Sequence, residues 1–184
     1  MMEAWKGKGF MDKKRVLHTA RLALRFATEE DIPTIMALEQ HPDNRSFVCQ
    51  GTKEQHHREV IDPDCILWVF TNQADDSLVG YCLVWINRES NWAELRRIVI
   101  TQKGQGYGRE ALKGLFSYLF DEISVNKVWL DVYPHNAVGI SLYESLGMSC
   151  DGRLRQNFYD ERLGYLDQLI YSRLKREHDR EDLQ

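Results

Sequence analysis

The sequence is poor in the features that would mark a secreted, membrane-bound or metal-held protein. Its four cysteines stand at 49, 65, 82 and 150, with no CxxC pair and no Cys/His cluster. That spacing argues against a disulfide scaffold and a structural zinc site, so no metal is expected. Cys65 and Cys82 lie inside apolar runs and read as small core residues. No stretch approaches the roughly 20 apolar residues that span a bilayer. Lys6, Lys8, Lys13, Lys14 and Arg15 make the start basic, but no apolar segment follows them as a secretory signal requires. The expectation is a cytoplasmic protein with no membrane partner. An excess of positive charge is also missing: 24 Lys and Arg face 28 Asp and Glu, a net charge of −4. Nothing there steers the chain to nucleic acid.

What is present is material for a core. Hydrophobic residues make up 43% of the 184, with 5 Trp, 8 Tyr and 7 Phe. That length suits one domain. No internal repeat or linker is visible. Residues 1–18 read as a flexible basic extension, 19–176 as a single domain, and 177–184 as a charged tail.

Order is expected from Arg21, where Leu22, Leu24 and Phe26 alternate with Arg21, Ala23 and Arg25 as in a strand. Thr28 can cap a helix carrying Ile32, Ile35, Met36 and Leu38. A polar helix is expected over 52–60. There His56 and His57 point about 100° apart, and both read as exposed helix surface. Segments 65–70, 78–86 and 92–100 form an antiparallel meander, the middle one apolar enough for burial on both faces. The period then turns helical at Ala111, Leu112, Leu115, Phe116 and Leu119. Val128, Leu130 and Val132 make another strand, and Val138, Leu142, Tyr143 and Leu146 a short helix closed by Gly147. Two further strands occupy 154–158 and 165–174. The sum is one α/β (α+β) domain.

The strongest local signal is the run Lys103-Gly104-Gln105-Gly106-Tyr107-Gly108-Arg109, between a strand and a helix. Its glycines permit a tight turn and close backbone approach. A helix N-terminus beyond them adds free N–H groups, a combination that can hold phosphate. The pattern GxGxG is neither the dinucleotide fingerprint GxGxxG nor a Walker loop, which makes a nucleotide-binding enzyme of another class a poor reading. Taken alone, the run fits either an anion-binding loop or a plain turn.

This run resembles the acyl-CoA pyrophosphate loop of the GCN5-related N-acetyltransferase (GNAT) superfamily, written Gln/Arg-x-x-Gly-x-Gly/Ala. Gly106 and Gly108 match its small positions, and Lys103 stands where Gln or Arg is usual. Downstream, Asn136 followed by Leu142-Tyr143-Glu144-Ser145-Leu146-Gly147-Met148 is similar to the family's Asn and Leu-Tyr-x-x-x-Gly-Phe, with Met148 for Phe. Leu24-Arg25-Phe26-Ala27-Thr28-Glu29-Glu30-Asp31 looks like the family's first strand and helix start. The resemblance spans roughly 20–175. Glu94-Leu95-Arg96-Arg97-Ile98-Val99-Ile100 and Gly152-Arg153-Leu154-Arg155 are similar to the branch of ribosomal-protein N-terminal and spermidine N-acetyltransferases.

The resemblance implies the acyl-CoA N-acyltransferase fold, a mixed, mostly antiparallel central sheet flanked by helices. It implies acetyl transfer from acetyl-CoA to a primary amine: a small amine, a polyamine or a peptide N-terminus. The donor arm would sit where the fourth strand, 92–100, splays from the fifth, 127–132. Ile98, Val99 and Ile100 would line it, with the acyl oxygen near the Val99 or Ile100 N–H. Gln102 to Arg109 would hold the pyrophosphate, which puts Lys103, Gly104, Gln105, Gly106, Tyr107, Gly108 and Arg109 in the binding set. For Arg109 free surface is the alternative.

Tyr143 is then the candidate general acid, since a tyrosine stays protonated at neutral pH. On helix pattern alone it reads as a core tyrosine. Asn136 bonds the pantetheine arm or caps the following helix. Glu94, in phase with Arg96, Ile98 and Ile100, is the candidate base, or an ion-pair partner, with His135 as a substitute. Acceptor selection would fall to 39–62 and the hairpin near 157–165, whose acidic residues are Glu39, Asp43, Asp62, Asp64, Asp160 and Glu161. These also read as ordinary surface charge. A dimer is common in this branch. A non-catalytic acyl-CoA-binding or sensor module on the same fold is the alternative function.

Overall fold

The strands expected from the sequence join a single sheet, and the way two of them part sets the rest of the molecule. The structure, a computed structural model, describes residues 11–181. Its strands are β1 (Val16–His18), β2 (Leu22–Phe26), β3 (Cys65–Asn72), β4 (Leu78–Asn87), β5 (Trp92–Ile100), β6 (Lys127–Val132), β7 (Ser149–Asp160) and β8 (Gly164–Leu174). They lie in the order β1-β2-β3-β4-β5-β6-β8-β7. Every neighbour is antiparallel except β5 and β6, which run parallel. This is the mixed, mostly antiparallel sheet expected.

Helices cover both faces. α1 (Ile32–Gln40) and α2 (Lys53–Ile61) pack on one, through Ile35, Leu38 and Val60 against Leu67, Val69, Tyr81 and Val99. α2 starts in a capping box, with Thr52 accepting from the Gln55 N–H. On the other face lie α3 (Tyr107–Ser117) and α4 (Ala137–Glu144). Ala111, Leu112, Leu115 and Phe116 of α3 bury against Leu24, Phe70, Cys82, Leu95 and Leu130. A π-helical stretch, Tyr118–Ile123, continues α3.

The parallel pair is where the sheet opens. β5 and β6 are in register only from Trp92↔Lys127 to Glu94↔Trp129, although both run on. Two residues later β5 bulges: Leu83 faces Arg97 and Val84 faces Leu95, leaving Arg96 as the extra residue. The bulge swaps the faces. Ala93 and Leu95 share the α3 side with Ile98 and Ile100, whereas Val99 joins the α1/α2 side. Glu94 is therefore out of phase with Ile98 and Ile100, which corrects the simple alternation read from the sequence.

Three other expectations change. β1 precedes the expected start of order and pairs with β2, a strand of three residues too short to show a period. α5 (Lys175–Glu181) replaces part of the solvated tail, because His178 stacks on Phe120 at 4.9 Å and is buried. His56, expected at the surface, is fully buried between carboxylates. The remainder of the expected extension and tail, residues 1–10 and 182–184, lies outside the described residues.

Candidate active site

The opening between β5 and β6 leads into a cleft of about 430 Å³. That lies within the roughly 300–1,000 Å³ of small-molecule sites. One wall is β5, through Ile98, Val99 and Ile100. One end is the glycine loop with the start of α3, and Val138, Gly139, Leu142 and Tyr143 of α4 close the far side. Asp43, Asn44, Phe47 and Val48 form the rim opposite.

Backbone groups supply most of its polar character. The Thr101 N–H bonds the Val79 carbonyl at 2.8 Å. Strand alternation then turns the backbone of Val99 and Thr101 towards β4, and that of Ile98 and Ile100 towards the gap left by β6. The N–H expected to face the cleft near Val99 or Ile100 is thus that of Ile98 or Ile100. Gly80 makes this close β4–β5 pairing possible, since a Cβ there would sit 2.1 Å from the Val99 oxygen. At the other end Gly106 is the N-cap of α3 in left-handed conformation (φ 78), with no side-chain cap. The first-turn N–H groups of α3 therefore meet the cleft without a side-chain acceptor.

Of the loop residues expected to bind, Lys103, Gly104, Gly106, Tyr107, Gly108 and Arg109 line the cleft, as does Gln102. Gln105 does not. Its carbonyl points behind the loop and accepts from Arg21 Nη1 at 3.0 Å. Lys103 Nζ donates to the Asp43 carbonyl at 3.0 Å, tying the loop to the opposite rim. Arg109 is exposed, and its Nη1 donates to the Ser145 carbonyl at the end of α4. A Cβ at Gly108 would come within 3.3 Å of Leu142, so a larger residue there would crowd α3 against α4.

Tyr143 is 7% exposed and its ring belongs to the core, yet it also lines the cleft. Its hydroxyl has no hydrogen-bond partner among the described residues. Burial, with the Asp131 charge nearby, pushes its pKa up to about 12. Asn136 divides its amide: Oδ1 accepts the Gly139 N–H at 3.0 Å and caps α4, while the residue also faces the cleft.

Glu94 stands elsewhere. It leaves the cleft to its strand neighbours and pairs with Arg96 across the bulge, Nε to Oε2 2.9 Å. Asp131, one strand over, was not singled out by sequence reading. Loss of surrounding water raises its carboxyl pKa, the Glu94 charge pushes the same way, and Gln168 donates to it in partial compensation. Its place on β6, two residues past the last β5 pairing, is the only signal that could have marked it. Around it a row of rings runs from Phe47 to His135 (5.7 Å), to Tyr133 (5.5 Å, stacked) and to Phe158 (5.6 Å). The row joins the 39–62 segment to the β7–β8 hairpin. His135 is thus packed between rings.

Beneath the α1/α2 face lies a charged cluster. Glu39, read as a candidate surface carboxylate, is 1% exposed. It accepts from the Tyr81 hydroxyl (2.6 Å) and the Gly51 N–H (2.7 Å), and contacts His56 Nε2 (3.3 Å). His56 Nδ1 meets Glu59 at 2.8 Å, and Arg97 Nη1 reaches Glu59 at 3.0 Å and Glu39 at 3.7 Å. Burial opposes charge on His56, but the bonds to Glu39 and Glu59 outweigh it and hold its pKa at about 9. The other acidic candidates have local uses: Asp64 pairs with Arg88, and Asp160 accepts N–H groups of its own turn. Only Asp43 lines the cleft.

Comparison with known proteins bears on this geometry. The acetyltransferase (GNAT) domain model matches residues 21–149. An uncharacterized N-acetyltransferase p20 of Bacillus licheniformis is 32% identical over 175 residues, covering 88% of this chain and 97% of the relative. The ribosomal protein bS18-alanine N-acetyltransferase of Salmonella typhimurium is 32% identical over 102 residues, 53% of this chain and 64% of its own length. Among solved structures, spermidine N-acetyltransferase from Vibrio cholerae, in complex with CoA and spermine, superposes with a TM-score of 0.77 at 22% identity, covering 85% of this chain and 97% of that one. Among the described residues no helix is long and apolar enough to cross a membrane, and no group of metal-binding side chains occurs.

Proposed function

Because the chain belongs to the acetyltransferase (GNAT) domain family and is an N-acetyltransferase, we propose that it takes an acetyl group from acetyl-CoA and passes it to a primary amine by direct attack. The acceptor is a protein N-terminal amine, a polyamine or another small amine. One observation carries the reading: a single cleft joins unpaired strand backbone, an uncapped helix N-terminus and a largely buried tyrosine whose hydroxyl has no partner among the described residues.

The residues present fit the donor. The α3 first turn and the glycine loop suit its pyrophosphate, with Lys103 and Arg109 adding positive charge. Asn136 keeps its amide nitrogen for the pantetheine arm while its oxygen caps α4. When bound, acetyl-CoA supplies an activated acetyl thioester. The Ile98 and Ile100 N–H groups face the gap where the acyl oxygen gains charge. The amine must lose its proton before it attacks. Neither Glu94 nor Asp131 lines the cleft itself, and these neighbouring carboxylates at the β5–β6 parting are the candidates to receive it. Loss of surrounding water raises the Asp131 carboxyl, the direction that suits a base. Tyr143 holds its proton at Oη through the neutral range and donates it to the departing sulfur.

The test is a panel of primary amines incubated with acetyl-CoA, with product read by mass spectrometry and free thiol by a colorimetric reagent. The account expects acetylation of at least one amine class, and a Tyr143→Phe protein that binds acetyl-CoA normally but turns over far more slowly. Binding without transfer to any amine would contradict it and return the chain to a sensor role.

A further inference from the structure

We infer that Arg21, which lies outside the cleft, is a positioning residue that holds the glycine loop in its anion-binding geometry. The inference rests on the proposed use of that loop for the acetyl-CoA pyrophosphate.

Arg21 stands behind the loop, at the turn between β1 and β2. Its guanidinium makes three contacts there. Nε donates to Glu110 Oε2 at 2.7 Å, Nη1 donates to the Gln105 carbonyl at 3.0 Å, and the guanidinium lies 4.4 Å from the centre of the Tyr107 ring. Glu110 sits in the first turn of α3 and is itself held from the same side. Its Oε1 accepts from the Arg21 N–H and from the Thr19 hydroxyl, each at 2.6 Å. Gln73 at the end of β3 fixes that turn in its place by donating to the Thr19 and Leu22 carbonyls. The sheet edge therefore grips the α3 start and the loop together.

The consequence for the cleft follows from peptide planarity. The carbonyl of Gln105 and the N–H of Gly106 belong to one rigid unit and point in opposite directions. Arg21 holds that carbonyl behind the loop, so the Gly106 N–H is turned to the other side, where Gly106 lines the cleft. Glycines on both sides of Gln105 make this necessary. Gly104 and Gly106 both have φ of +78, and glycine can adopt either sign of φ at little cost. Without the brace that peptide is free to flip and present a carbonyl oxygen where a phosphate is to bind. The positive charge adds to the effect, but the bond to Gln105 sets the direction.

Arg21 does not line the cleft, so a merely stabilising role must be told apart from positioning. The probes are acetyl-CoA and acetyl-pantetheine, which carries the same thioester without the pyrophosphate. Affinities are measured by calorimetry, the weaker one by competition, with melting temperature alongside. For Arg21→Ala the expected result is about tenfold weaker acetyl-CoA binding, from loss of preorganisation and of a charge-assisted bond, with acetyl-pantetheine unchanged. Should Arg21→Ala fail to fold, Arg21→Lys takes its place. It keeps the charge but cannot bridge Glu110 and Gln105 at once, and the same one-sided loss is expected. Equal loss for both probes, or wild-type affinity for acetyl-CoA, would overturn the inference. Wild-type protein that binds neither probe would overturn the proposed function itself, a distinguishable failure.

Discussion

The two sides of the β5–β6 opening are built from different material. On the donor side the polar groups are mostly backbone: strand N–H groups released by the splay, and helix N–H groups left without a cap. On the side proposed for the acceptor they are side chains: Glu94 and Asp131 where β5 and β6 part, and Glu39, His56, Glu59 and Arg97 buried beneath α1 and α2. A backbone site depends on shape and survives changes of most side chains. A side-chain site depends on each charge having its partner, because an ion stranded in the interior costs several kcal/mol. Substitutions should therefore divide: changes in the buried Glu39–His56–Glu59–Arg97 cluster act on stability and pH response, donor-side changes on affinity and turnover.

The largest effect is expected from Glu39→Ala. It removes one of the two carboxylates facing His56 and Arg97 and the acceptor of the buried Tyr81 hydroxyl, and should cost about 3–5 kcal/mol of unfolding free energy. Chemical denaturation would measure that cost. Below the melting range, acetyl-CoA affinity should stay within about twofold if the two sides are independent. A large parallel loss of affinity would break the division.

Tyr143→Phe should lower turnover by about 100-fold, a usual size for a lost proton donor. Its acetyl-CoA dissociation constant should barely move. Steady-state rates beside calorimetry separate the two.

The pH response sharpens the contrast. His56 has a folded pKa of about 9, above its ordinary 6.5. Its contribution to stability is full below pH 6.5 and is lost as pH rises through about 9. Glu39 and Glu59 are shifted below the ordinary 4.5, because their hydrogen bonds and charged partners outweigh burial. Their contributions are present above pH 4.5 and are lost as pH falls through the lowered values. Stability should peak between these flanks. His56→Gln should flatten the alkaline flank, by about 2–3 kcal/mol of unfolding free energy read from chemical denaturation followed against pH.

The smallest effect expected is that of Gly106→Ala. A side chain at a φ of +78 strains the loop, and acetyl-CoA should bind about tenfold more weakly with little change in pH response.

The same contrast governs what could be read from the sequence. The donor side was legible because its parts are contiguous: glycines at 104, 106 and 108 before a helical stripe, and Asn136 seven residues before Tyr143. Strand alternation and helical period gave the sheet and its main helices. The acceptor side was hidden, since Glu39, His56, Glu59 and Arg97 meet only through the packing of α1, α2 and β5. On a polar helix nothing local marks His56 for burial. The bulge at Arg96 was equally hidden, and it misplaced Glu94 by reversing the face of every residue beyond it. Arg21 looked like the outward half of an alternating strand, while its partners Gln105 and Glu110 lie more than eighty residues on.

The central claim is that the cleft's free backbone is an acyl-CoA site. A calorimetric titration of the full chain with acetyl-CoA, with NAD and ATP as controls, tests it most directly. Saturable binding of acetyl-CoA at one site per chain is expected, with no heat of binding from NAD or ATP. No acetyl-CoA binding well into the millimolar range would contradict it, and the glycine loop would then be no more than a turn.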